Sequence, residues 1–78
     1  MIDVSKIQEH MPVLGCDGGH VGTVDHLDGQ RIKLTRTDPG ADGVHHFIHV
    51  DSIDVVENGA VRLNRTTAQA KDEWGTAE

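Results

Sequence analysis

Gly15, Gly18, Gly19 and Gly22 fall within eight residues, next to the β-branched Val21, Thr23 and Val24, and this cluster constrains the fold more than any other feature. Asp17-Gly18-Gly19 supplies the positive φ angles of a hairpin turn, so residues 13–16 and 20–27 read as two strands folded over it. Val21 and Val24 are three apart and cannot share one face of a regular strand. A bulge at Gly22 adds one residue and turns both valines inward. Bulged, glycine-bearing strands are how small sheets curl into barrels.

The rest of the chain continues the pattern. After a second turn at Asp28-Gly29, residues 30–36 alternate cleanly, with Ile32 and Leu34 on one side and Arg31, Lys33 and Thr35 on the other. Residues 37–43 are rich in breakers and read as a mobile loop. Residues 44–50 form a fourth expected strand, with Val44, His46, Ile48 and Val50 toward the core and His45, Phe47 and His49 opposite. Asn58-Gly59, between apolar runs at 53–56 and 60–63, is the strongest hairpin signal present. Thr66 or Thr67 caps a helix running to about Trp74, which folds back on the sheet before Gly75 ends the helix. Ser5 and Gln8 match a capping box that Pro12 cuts short. These elements predict a mainly β fold, a small curled five- to six-stranded antiparallel β-barrel with a short C-terminal α-helix.

Size and charge narrow the function. The 78 residues make one domain, 1–78, with a core at about 7–74 and mobile termini. A chain this short buries only about 60% of its unfolded surface. Domains of this size are often stabilised by a disulfide, a metal or a second subunit. Cys16 is the lone cysteine, which excludes an internal disulfide, reads as a small apolar residue near a turn, and fits a cytoplasmic protein. No apolar run reaches the ~20 residues of a membrane span. Thirteen acidic side chains against seven basic ones give a formal charge of -6, which repels phosphate. With Phe47 and Trp74 as the only aromatic residues, base-stacking platforms are missing too, so neither nucleic acid nor membrane is an expected partner.

Met11-Pro12-Val13-Leu14-Gly15-Cys16-Asp17-Gly18, followed by His20-Val21-Gly22-Thr23-Val24-Asp25, resembles the opening hairpin of PRC-barrel domains. Ile32-Lys33-Leu34-Thr35, His45-His46-Phe47-Ile48, Val61-Arg62-Leu63-Asn64 and the segment from Ala70 to Trp74 are similar to a compact bacterial branch of PRC-barrel-like proteins of unknown function. The likeness spans about residues 7–74. It implies a small barrel that serves as an assembly or docking module and is not itself catalytic. Relatives of this type occur in the photosynthetic reaction-centre H subunit and in a ribosome maturation factor. The transmembrane helix of the first and the RNA-associated partner domain of the second have no counterpart here, so neither role carries over. Val50 stands where the bacterial branch commonly has proline.

Among chemistry-bearing residues, the six histidines stand out. His45 and His49 are four apart, about 13 Å along a strand at ~3.3 Å per residue, too far for one metal with bonds of about 2.0–2.1 Å. His20 and His26 are likewise too far apart, and His45 and His46 point to opposite faces. A metal site would need cross-strand partners that no spacing enforces, so none is assigned and no cofactor is expected. Asp25, His26 and Asp28 read as a solvated acidic turn. Cys16 and His20 flank a turn with no enclosed pocket for a thiolate–imidazole pair, and Asp17-Gly18-Gly19 lacks the Lys-Ser/Thr pair of a phosphate loop. Phe47 faces away from the expected core between His45 and His49, and is either covered by Trp74 or left as a contact residue. The sequence thus reads as a non-enzymatic interaction or assembly module, docking an unknown protein or forming a homodimer through His45, Phe47, His49, Arg31 and Lys33. The rival reading is a histidine-based protein that binds a metal or small ligand under stress.

Overall fold

The computed structural model describes residues 6–36 and 43–76. The Ser5 cap, the extreme termini and all of the expected loop except Gly43 lie outside the described residues. The elements in chain order are β1 (Pro12–Leu14), β2 (His20–Asp28), β3 (Arg31–Leu34), β4 (His46–His49), a 3-10 turn (Val50–Ser52), β5 (Ile53–Glu57), β6 (Ala60–Leu63), α1 (Thr67–Glu73) and the two-residue β7 (Gly75–Thr76). They form one sheet in the order β5-β6-β1-β2-β3-β4-β7. The fold is mainly β with one short C-terminal helix among the described residues.

Two parts of the expected architecture are corrected. The sheet is open, with β5 and β7 at its edges, and does not close into a barrel. Nor is it purely antiparallel, because β1 and β6 run parallel, pairing Val13 with Val61 and Leu14 with Arg62. β1 gives one edge to β2 and leaves the other for a strand arriving from far along the chain. The β5–β6 hairpin takes that edge and sets Val61 beside Val13, both fully buried. Burial of the shared apolar face sets this register, since parallel pairing is slightly the weaker hydrogen-bond pattern.

β2 links the two halves of the sheet and is bulged twice. Opposite β1 the register shifts between Val13 and Leu14, leaving Val21 as the extra residue beside Gly22. Val21 and Val24 are both buried, as the spacing of three required. Opposite β3 a second shift leaves Asp25 as the extra residue and pairs Leu27 with buried Ile32. Val24 and Leu27 are again three apart, so the same device operates twice. The β5–β6 turn has φ 53° at Asn58 and 73° at Gly59, the two positive angles of a tight primed hairpin.

The Gly15–Gly19 loop is longer than a tight turn, with β1 ending at Leu14 and β2 starting at His20, and it holds the start of α1. Asp17 Oδ1 accepts from the Thr67 hydroxyl at 2.7 Å, the Thr67 amide at 3.2 Å and the Gly19 amide at 3.3 Å. The Thr67 hydroxyl, then the Thr67 amide and then the Gly19 amide hold the Asp17 carboxyl below its ordinary range. A Cβ on Gly15 would lie 2.5 Å from the Thr67 nitrogen, and one on Gly19 would collide with Thr67 Oγ1. Both glycines are needed for this approach. Thr66 is the N-cap, and with Gln69 it completes a capping box.

The core comprises Val13, Val21, Val24, Ile32, Leu34, Ile48, Ile53, Val61, Leu63 and Ala70, with Ile7, Met11, Val50, Val56 and Trp74 packed against it. Ala70 brings the helix onto the sheet. No helix among the described residues is long and apolar enough to cross a membrane.

Candidate functional site

β4 alternates as the sequence requires. His46 and Ile48 are buried, Phe47 is half-buried and His49 exposed. The strand is shorter than the expected 44–50, because Val50 already starts the 3-10 turn and donates its N–H to the Gln30 carbonyl at 3.0 Å. A proline at this position would lose that bond.

Trp74 does fold back on the sheet, but not over Phe47. Its ring stacks on His46, with centroids 3.8 Å apart and planes inclined by 11°. Trp74 is the C-cap of α1, and the extended backbone there leads into β7, which pairs Gly75 with Phe47 and Thr76 with His46. Gly75 therefore both ends the helix and begins a strand. The helix returns the indole to the inner face of β4, where His46 lies, and leaves Phe47 on the outer one.

Cross-strand pairing gathers four of the five expected contact residues on that outer face. Arg31 pairs with His49, and Lys33 pairs with Phe47. The Arg31 guanidinium carbon sits over the Phe47 ring, 4.3 Å from its centroid. Such a cation–π contact contributes about 0.5–1 kcal/mol at an exposed site. Asp28 Oδ2 lies 3.6 Å from Arg31 Nη2, an ion pair too long to be a hydrogen bond. Lys33 forms no ion pair among the described residues.

His45 departs from the group. Its Nδ1 lies 2.8 Å from the Leu34 carbonyl, so that nitrogen carries the proton and donates. The same nitrogen is 3.8 Å from Asp25 Oδ2, at the second bulge of β2. His45 precedes β4 and closes the far end of the β3–β4 pair instead of joining Phe47. His49 Nδ1 accepts from the Asp51 amide at 3.1 Å and so caps the 3-10 turn.

His26 and Asp28 join the outer face without having been anticipated there. His26 pairs with Lys33, and Asp28 pairs with Arg31. Simple alternation from Val24 would send both inward, and the bulge at Asp25 reverses that. The available signal was Leu27, an apolar residue three places after Val24.

Beside this face lies a cleft of about 90 Å³ between β4 and α1, lined by Phe47, His49, Leu63, Arg65, Glu73 and Trp74 among others. Arg65 and Glu73 form an ion pair at its wall. Cys16 is exposed, its amide donates to the Arg65 carbonyl at 2.8 Å, and its carbonyl accepts from Arg62 at 3.2 Å. Among the described residues no three His, Cys, Asp or Glu side chains converge as metal ligands.

A family model described as an uncharacterized protein conserved in bacteria (DUF2171) matches residues 7–71. Neither a curated protein nor a solved structure matches the chain.

Proposed function

The chain belongs to this bacterial family of uncharacterized proteins (DUF2171), and on that footing we propose that it is a non-enzymatic docking module related to the PRC-barrel domains. Its contact surface is the outer face of β2, β3 and β4, centred on Phe47. One observation carries the reading. The only phenylalanine of the chain stands on the outer face of the sheet, with the Arg31 guanidinium over its ring. An aromatic anchor beside an arginine is the composition of an interface centre, and lysine belongs to its rim.

The small cleft fits this reading. Its 90 Å³ is well below the ~300–1,000 Å³ of pockets that enclose small molecules. The histidine-based rival draws no support from the ligand geometry among the described residues. On this reading the partner is a different protein, met in the cytoplasm.

Three tagged baits test this: the wild-type chain, Phe47→Ser, and Val55→Ser as a control half-exposed on β5. Each is used for capture from a bacterial lysate with quantitative mass spectrometry. The expected result is a protein held by the wild type and Val55→Ser and lost with Phe47→Ser, whose purified complex protects the amides of β3 and β4 from exchange. Identical capture by all three baits, or protection elsewhere, overturns the assignment.

A further inference from the structure

The docking face has a chemistry that selects its partner. Arg31, Lys33, His26 and His49 stand on it together through the pairings His26–Lys33–Phe47 and Asp28–Arg31–His49. Two of the seven lysine and arginine residues of a chain with formal charge -6 are thus adjacent on one strand face. We propose that this face recognises an acidic protein segment, with a carboxylate of the partner taken by Arg31 while an apolar side chain of the same segment rests against Phe47. The inference rests on the docking reading and adds the chemical class of the partner.

Arg31 carries the argument. The guanidinium over the Phe47 ring carries its N–H donors in its own plane, a rigid fork that matches a carboxylate. Among the described residues its one anionic neighbour is Asp28, at 3.6 Å, beyond hydrogen-bond range, with both side chains 53% exposed. A weakly held, exposed Asp28 is readily exchanged for a partner's carboxylate with better geometry. Lys33 adds a second cation one pairing step away, beside Phe47 itself.

Two classes of polyanion offer partners to Arg31 and Lys33, and the carboxylates around them favour the peptide. Asp25, Asp28 and Asp51 rim the face, where Asp51 Oδ2 is 3.4 Å from His49 Nδ1 and Asp25 Oδ2 is 3.8 Å from His26 Nδ1. A continuous phosphate backbone would run across those carboxylates. A segment with separated acidic side chains need not. A single phenylalanine also offers no row of rings for bases.

The test titrates the isotope-labelled chain with a capped peptide whose glutamates are separated by glycines around one central leucine, with its glutamine counterpart and with a short oligothymidylate. Saturable amide shifts confined to residues 31–33 and 47–49, present with the glutamate peptide and absent with the glutamine one, are expected. Arg31→Ala is expected to weaken binding about tenfold, the loss of one charge-assisted hydrogen bond. Arg31→Lys, which keeps the charge but not the fork, should recover only part of it. The inference falls if the glutamate peptide gives no saturable shift, if shifts spread equally to Arg36, Arg62 and Lys71, or if oligothymidylate binds the face more tightly. Should it fall while Phe47→Ser still loses its captured protein, the docking reading stands and only the acidic partner is wrong. If that capture also fails, both fall.

Discussion

The two faces of β4 show how one strand serves two ends. Inward, His46 and Ile48 are sealed, one against the Trp74 ring and the other in the core. Outward, Phe47 and His49 meet Arg31, Lys33 and water. The chain owns two aromatic residues and puts one on each face. The inner one is held by a helix fixed at both ends, through Asp17 at its start and the His46 stack at its finish. The outer one lies under the Arg31 guanidinium, an exposed side chain that binding can rearrange. The contrast assigns stability to the inner face and recognition to the outer one.

The largest expected break is on the inner face. Ile48→Ala should destabilise by about 2–5 kcal/mol, which removes much of the stability of a domain this small. Urea unfolding measures it, and a loss below about 1 kcal/mol would mean that Ile48 is not packed as described. Trp74→Ala should cost about 2 kcal/mol, from lost apolar burial and the stack on His46, whose share is about 0.5–1.5 kcal/mol. Thr66→Ala removes the capping box and should cost about 1 kcal/mol. Phe47→Ser should cost no more than about 1 kcal/mol, most of it the cation–π contact with Arg31, because the site is outside the core. A larger loss there would make Phe47 a structural residue and dissolve the contrast.

Acid sharpens the same contrast at the far end of the helix. The Asp17 carboxyl titrates below its ordinary value of 3.8 in the folded chain. A depressed carboxyl stabilises the fold above the unfolded value, and that contribution is lost as pH falls through the folded one. Asp17→Asn should therefore be less stable than the wild type near neutrality, with the gap closing below pH ~4. Thermal melts of the two proteins across that window check it. A gap that stays constant with pH would show that the charge of Asp17 contributes nothing.

Local signals carried much of the fold. Asn58-Gly59 and Asp28-Gly29 marked their turns, and the Val21/Val24 spacing announced a bulge. Alternation in β4 put Phe47 and His49 on the outer face, and alternation in β3 added Arg31 and Lys33. What escaped depends on partners distant in sequence. The parallel docking of β6 on β1 joins residues 48 apart, Val13 and Val61, and leaves no mark in either three- or four-residue strand. The Asp17–Thr67 bonds span 50 residues and make a glycine turn into a helix anchor. His45 shares its parity with Phe47, but the Leu34 carbonyl captures it before β4 begins. Barrel closure was inferred from bulges, which bend a sheet without bringing its edges together.

The most direct test compares the affinities of the wild-type chain and Phe47→Ser for the same acidic peptide, with both proteins shown to be folded by their unfolding midpoints. The account predicts a loss of about tenfold or more in affinity at nearly unchanged stability. Equal affinities in two folded proteins would contradict it, and would return Phe47 to the role of an ordinary exposed side chain.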